Sequence, residues 1–327
     1  MRGLVTVFGG SGFIGGQIVR ALAKGGWRIR VAVRRPWRAY RLRLLGDVGQ
    51  IQIVQSNLRA PATVDRAMEG AEACVNAVGV LSETGRQKFQ SLHVMGARTI
   101  AEAARRHGVT NFVQLSAIGA DAHSPSKYAR TKAAGEAAAR EVVPSAVILR
   151  PSIAFGPEDH FFNRFATLAT FSPAQPLIGG GHTRFQPVFV GDIAKAVAAA
   201  LADPAAAGRT YELGGPGVFS FRQLMELTLK ETGLARVLVP VPWPLAELIG
   251  MAGDVMAAVA PFAPPLTSDQ VAMLRTDNVV GAGALGLADL GVSATPLEPI
   301  IPTYLYRYRK GGQYADLAPR APAPVRA

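Results

Sequence analysis

The chain has 327 residues, of which 49% are hydrophobic and 18% are charged, and its formal net charge is +12. A chain of this length and apolar content can bury a substantial core, which excludes an intrinsically disordered protein. The single cysteine, Cys74, excludes an internal disulfide, and its place in an apolar run indicates a buried, unreactive thiol.

The excess of basic residues predicts attraction to an anionic partner: a phosphate-rich ligand, an acidic protein or a lipid surface. Arginines are concentrated between positions 28 and 43, and the alternative interpretation of this cluster is a solvated basic face. No helix-turn-helix, zinc or RNA-binding motif accompanies the arginines, so we predict no nucleic acid partner and no metal site. The first predicted strand follows Met1 so closely that we expect no leader segment.

The first half of the chain alternates short β-branched runs with alanine-rich helical patterns, which is typical of a parallel sheet covered by helices. The predicted strands are Leu4–Phe8, Ile29–Val33, Gln52–Gln55, Ala73–Val78, Asn111–Ser116 and Ala146–Arg150. The predicted helices between them are Ile14–Lys24, Pro61–Met68, Ser91–His107 and Lys127–Val142. After Pro151 the alternation is interrupted, and it returns with the strand Pro187–Val190, the helix Asp192–Leu201 and the strand Thr210–Leu213.

We therefore predict an α/β fold, a Rossmann-type doubly wound parallel sheet with a smaller, mainly helical C-terminal domain. The predicted Rossmann domain comprises residues 1–155 and 185–215, and the smaller substrate-side or partner domain comprises residues 156–184 and 216–310. Residues 311–327 end in a proline- and alanine-rich run and predict a loose tail. The apolar segment from Leu245 to Phe262 predicts a core helix in preference to an amphipathic helix on a membrane or partner surface.

A glycine-rich turn joins the first strand to the first helix. Gly9 permits the tight turn, Gly12 lets the backbone approach a pyrophosphate, and Gly15 brings helix and strand close together. The helix N-terminus adds NH donors for the anion. The residues predicted to line this site are Gly9, Ser11, Gly12, Phe13, Ile14 and Gly15. The motif predicts a bound dinucleotide, and a glycine-rich turn without a ligand is the structural alternative.

Two arginines end the second predicted strand, where a site that prefers NADH usually has an acidic residue for the ribose 2′-hydroxyl. Guanidinium groups suit a 2′-phosphate, so Arg34 and Arg35 predict NADPH in preference to NADH. The alternative is that both arginines belong merely to the surrounding basic block.

Tyr128 and Lys132 form a YxxxK pattern on the helix that follows the fifth predicted strand. A spacing of four puts both side chains on one helical face, where the ammonium can lower the phenol pKa and also reach ribose hydroxyls. Such a pair can pass a proton to or from a substrate hydroxyl while hydride moves to or from nicotinamide.

These motifs resemble the short-chain dehydrogenase/reductase superfamily in its extended and atypical branches. The glycine turn, the turn 76–79, Tyr128 with Lys132, and residues 150–152 followed by 155–157 all fall in the family's order. Longer segments resemble the family of the 39 kDa accessory subunit of respiratory complex I and its bacterial relatives. These segments are residues 42–50, 126–136, 155–159, 161–163, 186–188 and 294–298.

The resemblance implies a tightly held NADPH with a structural or regulatory use, and partners among complex I subunits or another quinone-related membrane assembly. It implies a cytoplasmic protein, peripheral on the cytoplasmic face of the bacterial inner membrane, whose basic surface can contact anionic lipid. The alternative is an active NADP-dependent reductase, dehydrogenase or epimerase on a small hydrophobic substrate, with quinone biosynthesis as one setting. In either case we expect a pocket that includes Trp243 and Phe262 to face nicotinamide.

The resemblance also implies further cofactor contacts. Asn57 stands where relatives often have an aspartate for the adenine. The other contacts implied by the family's order are Leu58, Ala77, Val78, Gly79, Ser116, Pro151, Ser152 and Ile153.

The catalytic serine of active relatives has no clear equivalent in this chain. It lies just beyond the fifth strand, where Ala117 and Ile118 stand here. Ser116 remains a catalytic candidate, although we favour a role in capping nearby backbone groups, and the alternatives to it are Ser124 and Ser126. In addition, His93 replaces a frequent asparagine, which weakens the case for a complete proton relay.

Overall fold

A computed structural model describes residues 2–85, 87–259 and 266–317. The strands are β1 (Leu4–Phe8), β2 (Arg28–Val33), β3 (Ile51–Gln55), β4 (Ala73–Asn76), β5 (Asn111–Leu115), β6 (Val147–Pro151), β7 (Ala154–Phe155), β8 (Ala174–Ile178), β9 (Arg184–Phe185), β10 (Val188–Phe189), β11 (Thr210–Leu213), β12 (Phe219–Ser220) and β13 (Val237–Val241). The helices are α1 (Phe13–Lys24), α2 (Pro61–Met68), α3 (Met95–Arg106), α4 (Lys127–Val142), α5 (Phe162–Phe171), α6 (Val190–Ala202), α7 (Phe221–Thr232), α8 (Trp243–Val259), α9 (Ser268–Leu274) and α10 (Pro302–Leu305).

The central sheet has seven parallel strands in the order β11-β6-β5-β4-β1-β2-β3. The strand order reverses between β1 and β4, because the chain builds outward first on one side of β1 and then on the other. Such a switch point leaves a crevice at the carboxyl ends of the strands, which is where open α/β sheets bind their ligands. The predicted doubly wound sheet is confirmed.

Helices cover both faces of this sheet. On one face α1 packs against α6, and their apolar side chains join Val7, Val31 and Val113 in one buried cluster. On the other face α2, α3 and α4 cover a second cluster, which includes Phe112 and Cys74. Cys74 is fully buried, and burial raises its thiol pKa, so the predicted unreactive thiol is confirmed.

The strands and helices predicted from the sequence are present, with small shifts at their ends. β4 ends at Asn76 instead of Val78, because the Asn76 side chain accepts a hydrogen bond from the Val78 amide and turns the chain. A π-helical turn, Gln90–Val94, precedes α3. The predicted strand Pro187–Val190 ends one residue early, since Val190 begins α6. In the predicted tail, Gly312–Leu317 forms a 3-10 helix, and positions 318–327 lie outside the described residues.

The elements that follow β6 outside the central sheet, which are α5, α7, α8, α9, α10 and the short strands beside them, are called the smaller body, and an aromatic cluster lies within it. Its buried members include Phe155, Phe162 and Phe221, which pack edge to face with neighbouring phenylalanines. The Tyr304 hydroxyl donates to buried Asp159 at 2.6 Å and ties α10 to the start of α5. The late part of the chain thus closes over the segment that leaves the sheet after β6.

The segment that begins at Leu245 does not form the core helix that the sequence favoured. In α8 only one side packs on the protein, where Ala246 is fully buried. The opposite side is apolar and exposed, with Leu248 at 59% and Val255 at 67%. No helix in the described part of the chain is both long and apolar enough to cross a membrane.

Replacing Gly15 with alanine tests the contact between the first turn and α1. A Cβ at Gly15 would lie 2.2 Å from the Gly9 carbonyl oxygen, so we expect Gly15→Ala to lower the free energy of unfolding by about 3 kcal/mol. Gly16→Ala is the matched control, since its nearest neighbour atom would be 3.7 Å away and alanine in a helix gains about 0.5–1 kcal/mol. Urea unfolding measures both, and equal effects of the two changes would contradict this account.

Candidate active site

The glycine turn at the end of β1 leads directly into the N-terminus of α1. Gly9 has φ +79°, and a Cβ there would lie 2.8 Å from the Ala77 carbonyl oxygen. Gly12 is the N-cap of α1, and no side chain caps this helix. A Cβ at Gly12 would meet only the Gly9 carbonyl oxygen, at 3.4 Å, so the glycine is not required by packing within the protein. An uncapped helix N-terminus that a ligand can approach closely fits a diphosphate.

Arg34 and Arg35 lie beyond the end of β2 with their side chains exposed. Arg34 Nη2 donates to Gln87 Oε1 at 3.1 Å, and neither arginine forms an ion pair with any described residue. At the end of the neighbouring strand β3, the buried Ser56 hydroxyl has no hydrogen-bond partner among described residues. Two arginines without a carboxylate partner and an unpartnered hydroxyl suit the phosphate-bearing end of a nucleotide. Sequence reasoning missed Ser56, whose burial shows only in the structure.

Asn57 and Leu58 serve the turn that follows β3. The Asn57 Oδ1 atom accepts a hydrogen bond from the Arg59 amide at 3.1 Å, and the residue is exposed. Leu58 packs beside Gly96 of α3, where a Cβ would lie 2.7 Å from Leu58 Cδ1. The expected contact of Asn57 with adenine stays a prediction.

His93 holds the turn that follows β4. Its Nε2 accepts a hydrogen bond from the Val80 amide at 3.2 Å, and its Nδ1 lies 3.1 Å from Thr131 Oγ1. Burial, with a contribution from the charge of Lys132, lowers the pKa of His93 to about 3. A neutral ring that accepts at Nε2 carries its proton on Nδ1. The histidine thus fixes residues 77–80 beside the glycine turn, and it is not charged at neutral pH.

Lys132 is buried on α4, beside the turn that His93 holds. Its ammonium donates to the Leu115 carbonyl at 3.1 Å, and a Cβ at Gly79 would lie 3.8 Å from Nζ. Burial lowers its pKa to about 8, opposed by the charge of Glu136, whose carboxylate is itself held by Arg150 at 2.9 and 2.7 Å. The ammonium has three N–H donors, and the described structure supplies an acceptor for one of them. The other two donors can bind ribose hydroxyls.

Tyr128 is also buried, one helical turn before Lys132. Its ring packs edge to face on His93 and Phe89, with centroid distances of 5.4 and 5.7 Å. Burial, with a contribution from the charge of Asp269, raises the pKa of Tyr128 to about 12. The expectation that Lys132 lowers this pKa is therefore wrong, because the loss of hydration outweighs any attraction to the ammonium.

Ser116 does not have the capping role that the sequence favoured. Its Oγ atom is buried and has no hydrogen-bond partner in the described structure, although its amide donates to the Leu149 carbonyl at 2.7 Å. Ser126 is engaged elsewhere, since its hydroxyl caps α4 by accepting from the Ala129 amide at 3.2 Å. Burying a hydroxyl without a hydrogen-bond partner costs free energy. A ligand that supplies such a partner would therefore suit Ser116.

Asp269 of α9 closes the N-terminus of the tyrosine helix α4. Its carboxylate accepts hydrogen bonds from the Ser126 hydroxyl at 3.1 Å, the Lys127 amide at 2.5 Å and the Tyr128 amide at 3.1 Å. Sequence reasoning missed this residue, because 141 positions separate it from Tyr128. A capping box at Thr267 could have revealed the start of α9. It could not have revealed that α9 lies beside α4.

The C-terminal part of the chain reaches α4 through α9, and the expected pocket of Trp243 and Phe262 at nicotinamide stays a prediction. The Trp243 ring packs on Gly179, where a Cβ would lie 2.2 Å from it, and under the guanidinium of Arg275 at 4.7 Å. These contacts lie in the smaller body, and α9 with Asp269 is the element that reaches α4. Phe262 lies outside the described residues.

The segment that follows β6 is held by Asn278. The Ser152 hydroxyl donates to Asn278 Oδ1 at 2.6 Å, and the Ile153 amide donates to the same atom at 3.2 Å. Pro151 accepts a hydrogen bond from the Ile118 amide at 3.0 Å. The polar groups of Ser152 and Ile153 are thus engaged within the protein, and their expected contact with a cofactor stays a prediction.

The chain matches the model of the NAD dependent epimerase/dehydratase family over residues 5–214. It is 36% identical over 318 residues to NADH dehydrogenase (ubiquinone) 1 alpha subcomplex subunit 9, mitochondrial, of Arabidopsis thaliana, which is 94% of this chain and 79% of the plant protein. It is 38% identical over 182 residues to the ceramide reductase of Caulobacter vibrioides, 54% of each chain. In fold it is similar to a triphenylmethane reductase from Citrobacter, with a TM-score of 0.72, 21% identity, and coverage of 92% of this chain and 99% of that one.

The buried ammonium of Lys132 predicts a change of stability with pH. Its pKa of about 8 in the folded chain lies below the ordinary value of 10.5, so between these values the unfolded chain binds more protons. Stability contributed by this site therefore rises with pH across that window, by about 1.4 kcal/mol per pH unit. Urea unfolding from pH 7 to 10 should show this rise in the wild type relative to Lys132→Met. The exposed Lys24→Met is the control, and a parallel pH dependence in all three proteins would refute the assignment.

Proposed function

The chain belongs to the NAD dependent epimerase/dehydratase family, and on this premise we propose that it is an NADPH-binding accessory protein of a ubiquinone-linked respiratory assembly. In this role the bound cofactor serves structure or regulation. The similarity to the plant protein named as an NADH dehydrogenase (ubiquinone) subunit, over 94% of this chain, carries the proposal. We further propose that the partners are other subunits of such an assembly, and that the protein is peripheral on the cytoplasmic face of a bacterial inner membrane.

The residues present fit a dinucleotide. The uncapped N-terminus of α1 is open to a diphosphate, the Lys132 ammonium has donors to spare for ribose hydroxyls, and the buried Ser116 hydroxyl has no partner among described residues. Nicotinamide, when bound, supplies hydride-transfer chemistry. The protein's own role is to hold this cofactor along the carboxyl edge of the sheet.

Tyr128 and His93 both have pKa values far from neutral pH. A general acid or base works best when its pKa lies near the operating pH. Burial raises the pKa of Tyr128 to about 12 and lowers that of His93 to about 3. Both groups are therefore neutral and distant from titration at pH 7, so proton transfer through this site requires a shift of the Tyr128 pKa.

A second candidate is an active NADP-dependent reductase on a hydrophobic substrate. The similarity to a protein named ceramide reductase favours it, over 54% of the chain, as does the buried Tyr128–Lys132 pair. In that case Tyr128 donates its phenolic proton to the substrate oxygen, and Lys132 holds the ribose and stabilises the phenolate that forms. The ammonium must then lower the phenol pKa once the site is filled.

The proposed preference for NADPH predicts a selective effect at the two arginines. We expect Arg34→Ala with Arg35→Ala to weaken NADPH binding roughly 100-fold and NADH binding less than about threefold, since two lost guanidinium–phosphate contacts at about 1.5 kcal/mol each remove about 3 kcal/mol of binding free energy. Calorimetry with each cofactor measures this, and exposed Arg105→Ala is the control. Equal weakening of both cofactors would contradict the 2′-phosphate assignment.

Affinity isolation from detergent-solubilised membranes of the source organism separates the two candidate functions. We expect the tagged chain to recover NADH:ubiquinone reductase activity, and Tyr128→Phe to recover it equally, because holding a cofactor needs no phenolic proton. The same proteins are assayed for NADPH-dependent carbonyl reduction with a ceramide precursor ketone. Turnover by the wild type that Tyr128→Phe abolishes, without recovery of respiratory activity, would favour the reductase instead.

A further inference from the structure

An exposed apolar and basic surface follows β2 on the 3-10 helix Pro36–Leu45 and the next turn. Ala39 and Leu42 face inward and are buried. The apolar side chains that face outward are Trp37 (63% exposed), Tyr40 (54%), Leu44 (87%) and Val48 (107%). Arg38 and Arg43 are also exposed. The four apolar residues and these two arginines together are called the arginine–aromatic surface. Exposure of this many large apolar groups in one short stretch marks an interaction site.

This surface is held in place by buried hydrogen bonds of Gln50 and by an exposed ion pair of Arg41. Gln50 Nε2 donates to the Ala23 and Trp27 carbonyls at 2.8 and 2.9 Å, and Gln50 Oε1 accepts from the Asp47 amide at 2.8 Å. Arg41 forms a two-point ion pair with Glu158 at 2.8 and 2.9 Å. The backbone that carries the outward side chains is therefore anchored to the rest of the protein.

The charge of the surface is almost entirely positive. Residues 34–50 contain five arginines and one acidic residue, Asp47. Arg38 and Arg43 form no ion pair with any residue that the structure describes, and the Arg43 guanidinium lies 5.2 Å from the centre of the Tyr40 ring. The surface thus offers guanidinium groups interleaved with aromatic and aliphatic side chains.

We propose that the arginine–aromatic surface docks on the headgroup region of an anionic phospholipid bilayer. Tryptophan and tyrosine rings favour the boundary between headgroups and hydrocarbon, and exposed arginines bind anionic headgroups. Trp37 and Leu44 are exposed on the 3-10 helix and Val48 on the turn that follows it, and a fluid bilayer can accommodate such protruding side chains without a preformed pocket. Such docking adds a membrane contact to the proposed function. The docking proposal rests on that function only for the cellular setting in which the contact is made.

The position of the surface relates it to the cofactor site. It begins directly after Arg34 and Arg35, which we assign to the 2′-phosphate, and Arg41 links it to the smaller body through Glu158. Docking there would place the adenosine end of the cofactor beside the membrane.

The outer side of α8 is the rival docking surface, and its chemistry fits an anionic bilayer less well. Its exposed members Leu248, Ile249 and Val255 are aliphatic, and the charged side chains of α8 are Glu247 and Asp254, which are acidic. It therefore provides matched control positions that remove similar apolar area without touching the arginines.

Vesicle binding by the full chain tests the proposal. The probes are phosphatidylcholine vesicles with and without phosphatidylglycerol. We expect co-sedimentation only with the anionic vesicles, weakened by salt, and a blue shift of tryptophan emission, since Trp37 is 63% exposed whereas Trp27 is buried and Trp243 is half-buried. Arg38→Glu with Arg43→Glu, and separately Trp37→Ser with Leu44→Ser, should each weaken binding at least ~10-fold. Trp37→Phe should remove most of the blue shift and retain binding.

The α8 variant and a folding assay serve as controls for vesicle binding. Leu248→Ser with Val255→Ser should bind anionic vesicles like the wild type, and urea unfolding verifies that every variant is folded. Equal binding to both vesicle types, no binding to either, or loss of binding only in the α8 variant would each overturn the proposal. So would surface variants that still bind vesicles and lose only co-isolation with respiratory activity, since that result assigns the surface to an acidic protein. Co-isolation without vesicle binding would leave the proposed function standing.

Discussion

The structure depends on a close contact between two stretches of backbone at the carboxyl end of β1. The Gly9 carbonyl lies where a side chain at position 15 would stand, and Gly9 itself faces the carbonyl of Ala77. Only glycine permits this approach, because any Cβ would overlap a peptide group. The contact brings the N-terminus of α1 to the switch point of the sheet, and the other groups of the site are arranged around it.

The site is completed by parts of the chain that are distant in sequence. Asp269 accepts three hydrogen bonds at the start of α4, where the backbone donors of a helix N-terminus otherwise lack acceptors. Asn278 similarly holds the chain after β6 through Ser152 and Ile153. The smaller body therefore fixes the helix that carries Tyr128. A displacement of α9 is expected to shift the position of α4.

Burial decides the electrostatics of the site. Tyr128, Lys132 and His93 are all shielded from water. Burial raises the pKa of the phenol and lowers the pKa of the ammonium and of the imidazole, and each shift favours the neutral form. A ligand that brings hydroxyl and phosphate groups would replace the lost hydration of Lys132. The same buried residues therefore suit both the proposed role of holding a cofactor and the pattern of an enzyme.

The doubly wound sheet, the glycine turn and the Tyr128–Lys132 pair could all be predicted from the order of amino acids, because strand periodicity, glycine spacing and helical spacing are local properties. The same holds for the unreactive Cys74. The shifted pKa values, the unpartnered hydroxyl of Ser116 and the capping of α4 by Asp269 emerge only in the folded chain. These features depend on burial and on contacts between residues far apart in the chain, and no local pattern encodes which distant groups meet.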